Sequence, residues 1–391
     1  MKILITTDWY KSAVNGVVTS VKNLEKGLIA QGHEVRILTL SENLSSYTEG
    51  NVIYIGSIKA EKIYPNARIK VPVRSRAVVY ILRDIIEWKP DIIHSQCEFS
   101  TFSIARRVSA LTGAPIVHTY HTIYEDYTHY FSPSVKLGRN AVRLFTRYIA
   151  RHTSAMIAPT AKVKNILLGY GCYTDIDVVP TGLDLDRIIS KATHGELAAL
   201  KERLGIPTEN KVVAYVGRLA EEKNLDEIIE YFGKIKPDKT TLLIVGDGPY
   251  RRNIEDKIRD CGIEDITVMT GMVSPDSIKD YYALADVFTS ASQSETQGLT
   301  YIEAMANGLP LLCRADDCLE DVLLEGITGY SYVSFEEYTE RLNTLLTSDN
   351  SLMGENAARL VRERFSLDSF AKGAECVYGD VLLREYENKV V

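Results

Sequence analysis

The chain of 391 residues has no C-x-x-C pair and no acidic residue between Asp126 and Asp175. It also has no apolar run near the ~18 residues that a membrane-spanning helix needs. The first absence argues against a zinc site or a disulfide framework, so Cys97, Cys172, Cys261, Cys313, Cys318 and Cys376 are expected to be reduced core residues. The missing apolar run argues against a helical span. The amino end, Met1 to Asp8, carries only a few apolar residues before Asp8 and Trp9, which fits a first buried strand better than a signal peptide. A cytoplasmic protein is therefore expected. Histidine is missing after His194, and no repeat or low-complexity tract occurs.

The hydrophobic share of 45% and the length fit two soluble domains, each of roughly 150–200 residues. Charge is unevenly divided: residues 1–180 carry a net +8 and the remainder −15. A basic half suggests an anionic partner, whether membrane, nucleic acid or phosphorylated substrate.

Short β-branched runs alternate with helix-like segments throughout. Ile3–Thr7, Val35–Thr39, Ile92–His94, Ile116–His118 and Met156–Ala158 are the strand candidates of the first half. Val212–Val216, Thr241–Val245, Ile266–Val268, Val287–Thr289 and Leu311–Cys313 are those of the second. Continuous apolar strands separated by helices predict an α/β chain with two doubly wound parallel sheets. The Pro/Gly turn near Val179–Leu183 predicts domains at 1–182 and 183–369, followed by a helix over about 370–391.

One segment carries most of the chemistry. In Glu295-Thr-Gln-Gly-Leu-Thr-Tyr-Ile-Glu303 two carboxylates flank a glycine and the start of a helix-forming run. The free N–H groups and dipole at a helix start suit a phosphate or diphosphate. Carboxylates on either side suit sugar or ribose hydroxyls. In Val216-Gly-Arg-Leu-Ala-Glu-Glu-Lys-Asn-Leu225, Arg218 and Lys223 follow a strand and could neutralise a leaving diphosphate. Gly16 lies in the first strand–helix turn, where backbone could approach a phosphate closely. The Gly246-x-Gly248 pair lacks a third spaced glycine and reads as a tight turn near the nucleotide. Asp175-Ile-Asp177 and Asp184-Leu-Asp186 could suggest a metal–diphosphate motif, but they flank the interdomain turn. No obligatory metal and no cofactor are expected.

Between Ser134 and Ala155 the sequence forms a basic amphipathic helix. At about 100° per residue, Lys136, Arg139, Arg143, Arg147 and Arg151 share one side, and Leu137, Leu144, Phe145, Tyr148 and Ile149 the other. Such a helix either packs its apolar face in the core or lies on an anionic membrane. Each basic residue near the bilayer contributes about 1 kcal/mol. Arg68, Lys70, Arg74 and Arg76 add further positive charge, and the aromatic-rich stretch from Tyr120 to Phe131 would sit where a lipid acceptor enters. Membrane contact is the favoured reading, and nucleic acid is not expected as a partner.

Over its whole length, Ser294-Glu-Thr-Gln-Gly-Leu-Thr-Tyr-Ile-Glu-Ala-Met-Ala-Asn-Gly-Leu-Pro310 resembles the signature of the retaining GT-B glycosyltransferases. It is similar in particular to the family-4-like enzymes that glycosylate diacylglycerol in Gram-positive bacteria and mollicutes. Motifs near Gly16, His121, Arg218–Lys223 and Glu295–Glu303 follow the family's order. The resemblance implies two Rossmann-like domains facing each other across a cleft, with the last helix crossing back onto the first. It further implies that Asn15-Gly16 and Gly217 lie against the donor, that Thr270-Gly-Met272-Val273 holds the base through main chain, and that His121 of the His121-Thr122 pair touches the donor sugar. Residue alternation alone does not choose between His118 and His121, and His129 lies close by.

In this reading Glu295 holds sugar hydroxyls, Glu303 the ribose, and Gly298, Leu299 and Thr300 give backbone donors to the diphosphate. Thr122 and Tyr124 join the acceptor side. Gln297, where many relatives carry Glu, points to the lipid-glycosylating branch. No protein nucleophile emerges, so the diphosphate could leave and the acceptor enter on one face. The implied activity is transfer of a hexose, glucose before galactose, from a UDP-sugar to a lipid hydroxyl at the inner face of the membrane. A soluble acceptor (a polyol, a thiol precursor or a glycan), a UDP-sugar epimerase, and a non-catalytic sugar-nucleotide sensor at the membrane are the alternatives.

Overall fold

The computed structural model describes residues 1–11, 16–60, 68–71, 75–125 and 134–390. Asn15, Arg74, His129 and the end of the stretch from Tyr120 to Phe131 lie outside the described residues. The chain divides into two compact units, Met1–Gly182 with Leu367–Val391, and Leu183–Ser366. The return to the first unit thus begins at Leu367, a few residues before the expected start.

In the first unit the strands are β1 (Lys2–Thr6), β2 (Glu34–Leu40), β3 (Tyr47–Glu49), β4 (Val52–Ile55), β5 (Ser57–Lys59), β6 (Arg68–Lys70), β7 (Ile92–Ser95), β8 (Ile116–Thr119), β9 (Ala155–Ala158) and β10 (Asp175–Val178). Its helices are α1 (Gly16–Ala30), α2 (Arg76–Trp88), α3 (Ser100–Thr112), α4 (Val135–Ala150) and α5 (Ala161–Gly169). The main sheet runs β10-β9-β8-β7-β1-β2-β4-β3, parallel except for the β3–β4 pair, while β5 and β6 form a separate ribbon. Ile3, Ile5 and Leu4 of β1 are wholly buried because helices cover both sheet faces.

The second unit holds α6 (Leu185–Ile188), α7 (His194–Arg203), β11 (Lys211–Val216), α8 (Leu225–Ile235), β12 (Thr240–Val245), α9 (Arg251–Cys261), β13 (Thr267–Gly271), α10 (Ile278–Leu284), β14 (Val287–Ser290), α11 (Leu299–Ala306), β15 (Leu311–Arg314), β16 (Gly329–Tyr332), α12 (Phe335–Thr347) and α13 (Ser351–Arg364). Its six parallel strands run β13-β12-β11-β14-β15-β16, the 3-2-1-4-5-6 order of a nucleotide-binding sheet. The order reverses between β11 and β14. In the first unit it reverses between β1 and β7. Ligands of open α/β sheets bind outside the carboxyl ends of strands at such reversals, which singles out the loops after β11 and β14 and those after β1 and β7, with the loop after β8 next to the latter.

The last helix, α14 (Leu367–Val390), belongs to the first unit and packs against α1. Phe370, Ala371, Ala374, Val377 and Tyr378 enter the same core as Ile3, Ile5 and Val21. Tyr378 Oη lies 2.6 Å from His94 Nδ1, whose other ring nitrogen lies 2.7 Å from Thr119 Oγ1. A buried histidine is thereby satisfied on both sides, and burial, with His118 and His121 nearby, holds it well below the usual imidazole range.

Several sequence expectations change. Cys97, Cys172, Cys313 and Cys318 are buried, but Cys261 is half-buried and Cys376 exposed. Asp175 and Asp177 lie on the edge strand β10, and Asp175 pairs with Arg384 of α14. That pairing ties Asp175 to the last helix. Arg68 is not a free surface charge: its guanidinium donates to Ser57 Oγ at 2.7 Å and to the carbonyls of Ser41 and Glu42, which pins the β5–β6 ribbon.

Candidate active site

In the second unit, the loops after β11 and β14 are joined by an ion pair. Lys223 Nζ lies 2.6 Å from Glu295 Oε1, and both side chains are largely withdrawn from solvent, at 18% and 20% exposure. Ser294 Oγ donates to the Glu222 carbonyl at 3.2 Å beside it. Arg218 stands exposed at the start of the same loop, with no ion-pair partner among the described residues. Its carbonyl accepts from Tyr215 Oη at 3.1 Å, which fixes the backbone on which the guanidinium is carried.

Close backbone contact explains the two glycines after β12. A Cβ on Gly246 would lie 1.9 Å from the Gly217 carbonyl oxygen, and one on Gly248 2.1 Å from that of Leu219. The glycines let this turn press on the Arg218 loop, where Leu219 N donates to the Asp247 carbonyl at 3.0 Å. Gly246 also has φ +138, a region that side chains avoid. Gly246→Ala is therefore expected to destabilise the second unit by about 3 kcal/mol or more and lower its melting temperature by ~6–12 °C. Gly195→Ala, in a helix with nothing within 4 Å, provides the control; it should raise stability slightly. Equal melting of the two variants in calorimetry would contradict the close-contact account.

The turn after β14 ends at Gly298, with φ +72, which starts α11 without a side-chain cap. A Cβ there would meet the Tyr301 ring at 2.4 Å. Gly298 offers no side-chain cap, and the Tyr301 amide turns back to the Gly298 carbonyl at 3.0 Å; a helix start without a side-chain cap is a place that suits an anion. Gln297 and Gly298 are buried, and Leu299 and Thr300 half-buried. On α11, Glu303 Oε2 accepts from Tyr282 Oη at 2.8 Å, and burial pushes its carboxyl up while that hydrogen bond opposes the rise. Met272 is 83% exposed just after β13, and Val273 packs partly onto the core. Lys223 and Glu295 therefore touch, Arg218 shares the loop of Lys223, and Glu303 is held separately on α11, the helix that follows Glu295.

In the first unit the loops after β1, β7 and β8 carry an interlocked polar group. His118 is fully buried on β8, edge-on to Phe102, with Nε2 3.5 Å from Glu98 Oε1. His121 lies past the strand end, half-buried, with Nε2 donating to Gln96 Oε1 at 2.6 Å, so Nδ1 is left as an acceptor. Burial lowers its imidazole to about 4, Glu98 pulling upward and His118 downward. It is neutral at physiological pH. Tyr124 Oη donates to Glu98 Oε2 at 2.6 Å, and Thr122 is half-buried nearby in sequence. Asp8 caps α3 from across the sheet: its Oδ1 accepts from Thr101 N at 2.8 Å and Thr101 Oγ1 at 2.6 Å, and its Oδ2 from Ser100 N at 3.2 Å. Gly16 opens α1.

Sequence reasoning missed Gln96, Glu98, Tyr282 and the capping role of Asp8. Gln96, Glu98 and Asp8 all lie just beyond the carboxyl ends of apolar strands, a signal that was legible. Tyr282 had none, because its contact with Glu303 spans 21 residues.

Helix α4 divides its apolar side chains differently from the expected two-sided pattern. Ile149 and, in part, Phe145 pack in one core cluster and Val142 in another, with Gly138 buried, whereas Leu137 and Leu144 are each 65% exposed and Tyr148 44%. Lys136, Arg139, Arg143, Arg147 and Arg151 are all exposed. Three of them also have partners: Arg143 and Arg139 lie 3.2 and 3.9 Å from Glu125, one residue before Asp126, and Arg147 Nε donates to the Tyr170 carbonyl.

A parallel sheet of nucleotide-binding order, a helix start flanked by carboxylates and the cations Arg218 and Lys223 are parts that a sugar-nucleotide transferase would use. The family model "Glycosyltransferase Family 4" matches residues 14–187, and "Glycosyl transferases group 1" matches residues 198–362. Alpha-monoglucosyldiacylglycerol synthase of Streptococcus pneumoniae is 30% identical over 98% of this chain and 86% of its own length. The protein of the same name from Acholeplasma laidlawii is 30% identical over 98% of each chain. The crystal structure of Anabaena HepE in complex with UDP and glucose is similar with a TM-score of 0.75 at 17% identity, covering 97% of this chain and 100% of that one. The chain belongs to the family-4-like GT-B glycosyltransferases.

Proposed function

We propose that this glycosyltransferase moves a hexose, glucose before other sugars, from its UDP derivative to the hydroxyl of a membrane lipid such as 1,2-diacylglycerol. The reaction retains the anomeric configuration, needs no obligatory metal and takes place at the cytoplasmic membrane surface. The observation that carries the lipid acceptor is the solvent-facing strip Leu137, Leu144 and Tyr148 on α4, bordered by arginines. A structural helix would bury that strip. An interfacial helix places it among acyl chains and its cations among anionic headgroups. Likeness to two diacylglycerol glucosyltransferases along almost the whole chain supports the same reading.

The donor's diphosphate would lie against the amino end of α11, between Arg218 and Lys223, with Gly217 close to it; Gly16 is assigned to the donor as well. Main chain at Met272 and Val273 would hold the uracil, and Gln297, Gly298, Leu299 and Thr300 would line the phosphate side. As the bond to the diphosphate breaks, Arg218 and Lys223 stabilise the growing negative charge. These cations can do what a metal does in other transferases. Glu295 orients the hexose and Glu303 the ribose. His121, being neutral, can hydrogen-bond the sugar near the reacting carbon without repelling positive charge there. Thr122 and Tyr124 face the incoming alcohol, whose proton can pass to the departing phosphate oxygen on the same face.

Incubation with radiolabelled UDP-glucose or UDP-galactose and mixed lipids tests this directly. Label should enter the organic phase as an α-glycoside, at the same rate with a chelator present. Label confined to a soluble product, or interconversion of UDP-sugars without acceptor, would favour the alternatives.

The α4 strip has its own test. Leu137→Ser together with Leu144→Ser removes exposed side chains, so melting should not change. Burying each leucine contributes ~1.5–3 kcal/mol, so affinity for vesicles containing phosphatidylglycerol should fall at least ~100-fold. Undiminished sedimentation would make the helix a structural one. The leucines test the point more cleanly than the arginines, because Arg143 and Arg147 also hold parts of the fold.

A further inference from the structure

Helix α3 has Phe99 at its N-cap, a position that ordinarily holds Ser, Thr, Asp or Asn. Phe99 gives no side-chain cap. Asp8, reaching across from the end of β1, accepts from the Ser100 and Thr101 amides in its place. The cap is thereby separated from residue 99, a phenylalanine that is 48% exposed. It is stacked on Phe145 of α4 at 5.8 Å and lies edge-on to Tyr124 at 6.0 Å. A half-exposed phenyl group at a helix start has no role in capping and little in the core.

Its neighbours lead in two directions. Phe145, half-buried, follows Leu144 of the exposed strip in the chain, and Arg106 of α3 contacts the Tyr148 hydroxyl and sits 5.4 Å from its ring, so α3 borders the strip. On the other side, Tyr124 is held by Glu98, and His121 by Gln96, both from the loop that ends in Phe99. We propose that Phe99, with Phe145 and Tyr124, forms an aromatic step over which the acyl-bearing end of the lipid acceptor passes from the α4 strip to the carboxyl ends of β7 and β8. Phe99 is then a specificity-determining residue that favours acceptors with long acyl chains. Aromatic faces suit this role because they give apolar area with little loss of side-chain freedom and bind chains without fixed register. This inference rests on the lipid-acceptor reading above.

The test compares transfer to dioleoylglycerol in mixed micelles with transfer to water-soluble dibutyrylglycerol. Phe99→Ala should lower the ratio of the two kcat/KM values by roughly tenfold or more, chiefly through KM for the long-chain lipid. Phe99→Leu should restore most of it. Phe99→Gln, which keeps side-chain length at an exposed position, should repeat the loss and guards against a fold defect in the alanine variant. An unchanged ratio in either folded variant, with wild type active on dioleoylglycerol, overturns the role of Phe99 and leaves the lipid reading intact. If wild type glycosylates neither glyceride, the lipid reading itself fails and this inference falls with it.

Discussion

Lys223→Ala is expected to slow hexose transfer about 10²–10³-fold, the range seen when one preorganised charge donor is removed from a transition state. Lys223 spans from the loop after β11 to Glu295 in the loop after β14, at 2.6 Å. The two loops flank the reversal of strand order in the second unit. In the free protein the cation and the carboxylate neutralise each other. A diphosphate competes for the ammonium and hexose hydroxyls for the carboxylate, so each group exchanges one charged or polar partner for another rather than being bared. Removing the lysine has two consequences that can be separated. The lone Glu295 carboxylate, still largely screened from solvent, should lower stability by about 1–2 kcal/mol, less than for a fully buried pair. Lys223→Ala combined with Glu295→Ala should recover that stability but none of the rate. Lys223→Arg should preserve the ion pair better than the rate, since a planar fork does not replace a compact ammonium against a diphosphate. Rates and calorimetric melting of the four proteins decide the matter. Lys223→Ala transferring within threefold of wild type would remove Lys223 from the reaction and leave it a structural tie.

What could be read from the sequence followed the range of the interactions concerned. The central strands β1, β11 and β12 announce themselves as continuous apolar runs because both faces are buried. The edge strands β10 (Asp175–Val178) and β16 (Gly329–Tyr332) are half polar, and β3, β5 and β6 are three residues long, so their patterns carried no such signal. The segment Glu295–Glu303 was legible because turn, helix start and both carboxylates are contiguous. The partners that set its chemistry come from elsewhere: Lys223 is 72 residues from Glu295, and Tyr282 lies on α10. Helix α4 shows the same limit in another form. Its period gave an amphipathic helix, but which arc faces the sheet is decided by Gly138, Val142, Thr146 and Ile149 fitting against it, a matter of neighbours rather than of spacing. The leucines left outside became visible only then.

Glu303→Ala is expected to weaken UDP binding about 10²-fold, because a carboxylate accepting from both ribose hydroxyls contributes more than neutral hydrogen bonds do. A pH series makes the assignment specific. Burial raises the Glu303 carboxyl above its ordinary range, and the Tyr282 hydroxyl only partly offsets this. Folding therefore favours the protonated form. The resulting contribution to stability is complete below the unfolded-state pKa and is lost as pH rises through the raised one. Ribose hydroxyls donate, so they favour the ionised form and draw the pKa back down. UDP affinity should consequently strengthen as pH rises through the folded-state pKa and level off above it. Glu303→Gln should lose that slope, retaining only the part due to titration of the UDP phosphate, and should melt no lower than wild type at neutral pH. Tyr282→Phe removes the one donor that opposes the rise, so its affinity profile should move to higher pH. Calorimetric titration of the three proteins with UDP separates these outcomes. Parallel profiles for wild type and Glu303→Gln would mean that the ribose is held by another group, and that the buried carboxyl serves the packing of α10 on α11.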